Sequence, residues 1–360
     1  MLLSICIPTY NRPEHAMDTV KKCLQIPGDF YEVVLVDDCS DYDGYDLFNT
    51  ISNPRFRYVR NDRNLGYANL GQALKEGNGE YCILLGDKDD LFVDNWEDIV
   101  RMLIYNTDTS IFHWKYYSFD GSTIRDVTIK SQQKLLRARF EALLFTKYHF
   151  AEAAGLMFRK RDIDKVWDAI DKESLLWNLY PQEVLALLLS TCGDCEYVGS
   201  IKTVLKRQDR KIHISQTYGG GSEPYWVIPS RKKQNKQWLD IIYGLDIDNQ
   251  TKKHLAHTVC VNAIKQVGDY YEIIHDEFKM SKLFYKTYEL EANEDRKKNN
   301  KEWRKVINDV ENNLLSLIKE QWGHHYYYLD FEYAYRRNQM KRRVYKKMNE
   351  IKTNNVGNAK

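Results

Sequence analysis

The chain has 360 residues, of which 43% are hydrophobic and 29% charged, with a formal net charge of +2. That is ordinary globular composition with room for one large domain or two smaller ones, and the near-neutral balance argues against nucleic acid as a partner. No stretch approaches 18 apolar residues, so no membrane-spanning helix is expected, and "MLLSICIPTYNRPEH" lacks the basic start of a signal peptide.

In chain order, "LLSICIP" reads as a buried strand, and "PEHAMDTVKKCLQI" has helical spacing with Pro13 near its start. "YEVVLVDD" is a second strand, apolar without a break, as when both faces are covered. A short helix, "GYDLFNTI", precedes a third strand, "RFRYVRN". The small-residue helix "GYANLGQALKEG" leads to strand four, "EYCILLG", and then to the helix "NWEDIVRMLIYN". Alternating strands and helices predict a parallel α/β sheet, whose ligands bind beyond the carboxyl ends of the strands. Polar residues collect at those ends: Pro8, Thr9, Tyr10 and Asn11 after the first strand, Asp37 and Asp38 after the second, and Asp87, Asp89 and Asp90 after the fourth. One such cluster is ordinary turn chemistry; three at one sheet edge point to a site.

Further along, "TSIFHWKYYSF" and "AAGLMFRK" read as strands, "QKLLRARFEALLF" and "YPQEVLALLLSTCG" as helices, and "EYVGSIKTVLKRQ" as one strand or two. Seven scattered cysteines suit reduced thiols, and "CGDC" at Cys192–Cys195 reads as a turn between helix and strand, since no second pair accompanies its metal-like spacing. The character changes after Gly219–Gly221. Residues 230–352 are helical in pattern and rich in Lys, Glu, Asn and aromatics. The expected division is 1–222, made of halves 1–105 and 106–222, followed by a mainly helical region at 223–360.

The segments "SICIPTYNRPEHAMDTVKKCL", "VVLVDDCSD" and "NDRNLGYANLGQALKEGNGEYCILLGDKDD" resemble, in order and spacing, the nucleotide-sugar-binding half of family 2 glycosyltransferases. The resemblance covers about the first 100 residues and thins toward 215. It implies the GT-A fold, a Rossmann-like mixed sheet flanked by helices, and an inverting transfer from a nucleotide sugar, UDP-linked by family habit, to a glycan or lipid-linked oligosaccharide acceptor. A bacterial surface polysaccharide such as capsule would be the product, made in the cytoplasm. The diphosphate needs a hard cation, Mn²⁺ or Mg²⁺, which prefers oxygen ligands. Asp87-Lys88-Asp89 matches the family's DxD element: Asp89 is the implied metal ligand, Asp87 faces ribose or metal-bound water, and Asp90 supports them. Lys88 is grouped with the donor-binding residues, though strand alternation points it outward.

By the same resemblance Asp38, with Asp37 beside it, accepts hydrogen bonds from the base, while Pro8, Thr9, Tyr10 and Asn11 line base and ribose. Arg63, Asn64 and Gly66 in "RNLG" pass under the donor. The acceptor hydroxyl must lose a proton as it attacks, which calls for a carboxylate base. The family takes it from an acidic pair opening a late helix; here the pair is Gln182-Glu183, leaving Glu183 as the base, with Glu152 and Asp194 in reserve. His213 occupies the place of a late histidine near metal and diphosphate, with Arg207, Arg210 and Lys211 as further phosphate contacts.

From Arg336 to Met348 there are seven basic residues and no acidic one, interleaved with Tyr and Met. This reads as a basic amphipathic helix able to lie on the anionic inner face of the plasma membrane, or as a solvated or self-associating element. His324-His325 has no metal spacing. Two rival readings compete with the transferase. One is a catalytically silent carbohydrate-binding or scaffolding protein on the same fold, kept open by Gln182. The other is a sugar-phosphate nucleotidyltransferase, disfavoured because "IPTYNRPEH" has no glycine.

Overall fold

The computed structural model describes residues 1–41, 43–92, 95–119, 122–126, 155–207, 228–253, 255, 256 and 259. The sequence expectations placed at 133–145, Glu152, Arg210, Lys211, His213, Gly219–Gly221 and 303–348 lie outside them. Two compact units are present: Met1–Tyr225 with Leu245–Ile247, and Trp226–Gly244 with Asp248–Lys360.

The first unit is built on one nine-stranded mixed sheet. Strand β1 (Leu3–Thr9) leads to helix α1 (Pro13–Leu24) and β2 (Tyr31–Asp37). A 3-10 helix (Asp43–Thr50) connects to β3 (Phe56–Arg60), and α2 (Ala68–Glu76) to β4 (Tyr81–Leu84). These four strands are parallel and lie in the order β3-β2-β1-β4. The reason is legible in the residues. All of β2 is buried, as an apolar run covered on both faces must be. Helix α1 starts on Pro13, whose missing N–H costs nothing in a first turn, and buries Ala16, Thr19, Val20 and Cys23 at i, i+3, i+4, i+7 spacing. The stretch 43–50, expected as a short α-helix, is wound as the tighter 3-10 form.

The second half completes the sheet with β5 (Asp90–Leu91), α3 (Trp96–Tyr105), β6 (Thr109–Phe119), β7 (Ile124–Asp126) and β8 (Leu156–Arg159). Helices α4 (Lys160–Val166) and α5 (Pro181–Leu189) precede the long β9 (Asp194–Arg207). Beyond β4 the order runs β8-β6-β9-β5, and β7 hangs on β6. Here β4 and β6 run antiparallel to β8, β6 parallel to β9, and β5 antiparallel to β9. The ladder between β6 and β9 shifts register at Trp114/Lys115 and Lys115/Tyr116, which twists two long strands at mid-length. The "CGDC" stretch spans the turn from α5 into β9, as expected, and Cys192 and Cys195 are free thiols.

Sequential strands step outward from β1 to β2 to β3, then the chain returns to the other side of β1 for β4. The pair β1/β4 is therefore the topological switch point, where an α/β sheet opens a crevice at its carboxyl edge. Helix α2 also packs on α4 and α5. At Gly71 an added Cβ would lie 2.4 and 2.5 Å from ring atoms of Trp177 and 3.2 Å from Pro181. Trp177 is buried and cannot swing aside, so overpacking here costs about 1–3 kcal/mol. Gly71→Ala should lower the denaturation midpoint accordingly in a urea titration; an unchanged midpoint would mean that this helix contact is loose.

In the second unit α6 (Ile228–Gly244) buries Gln234, Asn235, Leu239 and Ile242 and carries a Lys236–Asp240 ion pair of 2.7 Å on its exposed side. Among the described residues no helix is long and apolar enough to cross a membrane.

Candidate active site

At the switch point, the ends of β1 and β4 are joined by a side-chain hydrogen bond. The Thr9 hydroxyl donates to Asp87 Oδ2 at 2.9 Å, and Arg12 Nε lies 3.1 Å from the same oxygen. From α1, the Thr19 hydroxyl donates to the Asp87 carbonyl at 2.8 Å. Asp87 is thus held from three sides. Burial pushes its carboxyl above the usual range, opposed by the Arg12 guanidinium and the Thr9 hydrogen bond.

The chain then turns sharply, with Asp89 N–H donating to Gly86 O at 2.9 Å. A Cβ on Gly86 would come within 2.6 Å of Asp89 Oδ2, so only glycine lets the Asp89 carboxylate fold back over the turn. Asp89 is 7% exposed and Asp87 2%. Lys88 is half-buried rather than fully outward, and its charge acts on Asp87. Asp90 opens β5 and pairs with Lys22 at 2.9 Å.

The acidic pair ending β2 is committed to local architecture. Asp37 Oδ1 accepts hydrogen bonds from the Ser40 N–H (3.1 Å) and hydroxyl (2.5 Å), and Oδ2 accepts from Tyr58 at 3.1 Å. Asp38 accepts from Asn61 Nδ2 at 3.0 Å, Leu65 N–H at 2.7 Å and Gly66 N–H at 2.8 Å. Burial raises the Asp38 carboxyl, against the pull of those donors. The carboxylate clamps the 61–66 loop, and Gly66 takes φ of +60°, the left-handed region that favours glycine. Asn64 Oδ1 accepts a second hydrogen bond from Gly66 N–H. Arg63 stands in solvent, near Glu173 at 3.9 Å with both side chains mostly exposed, where such a pair contributes little.

The rim is strained. Asn11 and Cys39 are the described non-glycine residues with positive φ, +52° and +57°. They sit where the chain leaves β1 and β2, and they are tied together: Asn11 N–H donates to Ser40 Oγ at 2.8 Å, and Asn11 Oδ1 accepts from Asp41 N–H at 3.0 Å. Such conformations persist only where neighbours over-determine them. Tyr10 is exposed on this rim, its ring open to a planar ligand. Pro8 faces β2 alone, beyond the end of the β4 pairing, so its missing N–H breaks no ladder between β1 and β4.

The donor chemistry is all oxygen. One Asp87 oxygen is taken by Thr9 and Arg12, and Asp89 supplies the second buried carboxylate of the turn. Among the described residues no group of three His, Cys, Asp or Glu could hold a metal ion alone. One or two carboxylates suit an ion that takes its other ligands from a diphosphate and water.

Glu183 lies in the first turn of α5, two residues after Pro181, and is half-buried; its neighbour Gln182 is buried. Asp194 is half-buried at the start of β9, its N–H bonded to Asp108 O. Two charged neighbours were missed in the sequence. Arg12 sits inside the quoted motif, but only the chain reversal into α1 brings its guanidinium to Asp87. Lys206, on β9, interacts electrostatically with Asp89, from 117 residues away in the chain. Burial holds its ammonium pKa below the usual lysine range; Asp89 opposes that shift and the nearby Lys88 charge adds to it.

The description "Glycosyl transferase family 2" matches residues 4–167.

Over residues 4–167 the chain is similar to glycosyl transferase family 2.

This region contains β1 to β8 and the Asp87–Asp89 turn. WcaA of Escherichia coli (strain K12), a glycosyl transferase assigned to colanic acid biosynthesis, is 34% identical over 92 residues, which is 25% of this chain and 33% of WcaA. The match therefore spans about a third of that relative's length. Among solved structures, Staphylococcus aureus TarS 1-349 in complex with UDP-GlcNAc superposes with a TM-score of 0.57 at 14% identity, covering 87% of this chain and 82% of TarS 1-349. TarS 1-349 without that ligand gives 0.57 at 13% identity, covering 90% and 92%. At such identity the likeness concerns the fold, and the curled mixed sheet with flanking helices is the GT-A fold expected from the sequence.

Proposed function

We propose that the protein is an inverting glycosyltransferase that moves a sugar from a nucleotide-sugar donor to a glycan or lipid-linked oligosaccharide of a bacterial surface polysaccharide. One observation carries this reading. Two sheet ends at the switch point are tied by Thr9 and Asp87, and the adjacent turn presents a second, buried carboxylate, Asp89. The TarS structures named above include a UDP-GlcNAc complex, which makes UDP the first nucleotide to test.

In this reading Tyr10 offers its face to the base, and Pro8, Thr9 and Asn11 shape the wall beside it. Asp37 and Asp38 hold the loops that border the nucleotide, and the base or ribose meets groups those carboxylates position. Arg63, Asn64 and Gly66 lie under the donor, and Lys88 flanks it. Asp87, fixed by Arg12 and Thr9, is aimed at ribose or a bound water. Asp89, with Asp87 and His213 as further candidates, would hold Mn²⁺ or Mg²⁺. When bound, that ion acts as a Lewis acid on the departing diphosphate.

Glu183 takes the proton of the acceptor hydroxyl as that oxygen bonds the anomeric carbon. The sugar–phosphate bond breaks on the opposite face, which inverts the configuration. Helix α5 favours a carboxylate in its first turn even without catalysis, since the helix dipole stabilises negative charge there. The basic segment 336–348 is proposed to rest on an anionic membrane, which would bring the enzyme to a lipid-linked acceptor.

The test is a titration of UDP, GDP and dTDP with and without Mn²⁺, followed by hydrolysis of the corresponding donor sugars. We expect Mn²⁺-dependent binding of one nucleotide and slow release of its sugar to water. Binding of none of the three would sink the reading. Tight binding with no turnover on any acceptor would favour the silent carbohydrate-binding protein, for which the buried Gln182 in the acidic position is the supporting feature.

A further inference from the structure

The cation facing Asp89 comes from the far half of the sheet. Strand β5 pairs antiparallel with β9 through Asp90↔Leu205 and Leu91↔Val204, and Phe92 N–H continues the ladder to Thr203 O at 2.9 Å. Asp89 and Lys206 directly flank the Asp90↔Leu205 pair, so the same register carried one step beyond the end of β5 would set them opposite each other. Residues directly opposite in an antiparallel pair point to the same face and lie within reach of each other. The two side chains interact electrostatically, and Asp89 is buried. On its other side β9 pairs Lys206 with Ser118 of β6, which fixes the lysine backbone from that edge.

We infer that Lys206 is a charge-balancing residue of the donor site, competing with a divalent cation for Asp89 and so coupling metal binding to nucleotide binding. This rests on the donor-site reading given above. The electrostatics are direct. A divalent ion brought to Asp89 meets a fixed positive charge across the strand pair, and in a partly dehydrated site that repulsion is weakly screened. The metal alone therefore binds poorly. A diphosphate brings negative charge that offsets both cations together, so each ligand raises the affinity for the other by the same factor. Lys206 thereby disfavours a metal bound without its nucleotide, a state with no use in transfer.

The experiment measures Mn²⁺ binding by electron paramagnetic resonance on the full chain, first with Mn²⁺ alone and then with saturating UDP. For Lys206→Met the affinity for Mn²⁺ alone should rise at least about fivefold, and the enhancement by UDP should shrink by a similar factor. Lys206→Arg, which keeps the charge, should stay within about twofold of wild type in both measurements. Asp89→Asn should abolish the tighter binding in the Lys206→Met background, which places it at that carboxylate. Lys206→Gln serves as a second neutral variant if Lys206→Met shows a non-native circular dichroism spectrum. Mn²⁺ affinity in the folded neutral variant equal to or below that of wild type overturns the inference. UDP that neither binds nor alters Mn²⁺ affinity in wild type overturns the coupling together with a UDP-based donor site. The Mn²⁺-alone comparison still separates the two, because it reads the Lys206–Asp89 competition without nucleotide.

Discussion

Asp89→Ala should abolish Mn²⁺-dependent nucleotide binding and lower transfer by about a hundredfold or more, in line with the loss expected when a metal's protein ligand or its support is removed. The turn should survive, because its backbone hydrogen bond from Asp89 N–H to Gly86 O does not involve the side chain. Melting should fall somewhat, because the partly buried Lys206 ammonium loses the opposite charge of Asp89. Asp87 remains, clamped by Thr9 and Arg12, but with one oxygen already engaged it cannot substitute fully. The decisive measurement is nucleotide affinity with and without Mn²⁺. Equal gain from Mn²⁺ in mutant and wild type would remove Asp89 from the metal site.

Glu183→Gln should separate binding from chemistry. The variant keeps size and shape in the first turn of α5 and loses only the ability to accept a proton, so nucleotide affinity should be unchanged while transfer falls about 10²- to 10⁴-fold, the usual worth of a positioned general base. Loss of the charge at the helix start costs a few tenths of a kcal/mol up to about 1 kcal/mol in stability, small enough to leave the protein folded. Donor hydrolysis by water offers a second readout, since it needs less help from a base than attack by a particular acceptor hydroxyl. Transfer within a fewfold of wild type would pass the role to Asp194 or Glu152.

These two carboxylates differ in how the chain presents them. Asp89 lies in a strand-turn motif whose residues are contiguous, so its place at a carboxyl edge could be read from "LLGDKDD" alone. Glu183 depends on α5 lying against α2, a contact between helices more than 100 residues apart that is sealed by Gly71, Trp177 and Pro181. Nothing in the local pattern around "YPQEV" announces that neighbour. The 3-10 winding at 43–50 was likewise beyond local pattern, because short apolar spacing fits either helix type.

Local residue pattern was sufficient for β1 to β4, for α1 and α2, and for the gathering of Thr9, Asp37, Asp38, Asp87 and Asp89 at one edge. Unbroken apolar runs must be buried on both faces, and a parallel sheet sends all its strand ends the same way. Tertiary structure decided what those groups touch. Asp38 proved to clamp the loop ending at Gly66 with its own hydrogen-bonding capacity, Asp87 acquired Arg12, and Asp89 acquired Lys206 through the pairing of β5 with β9. Hydrophobic periodicity specifies which face is buried, whereas long-range pairing of charges depends on register between strands far apart in the chain. A two-residue strand such as β5 leaves too short a pattern to predict it.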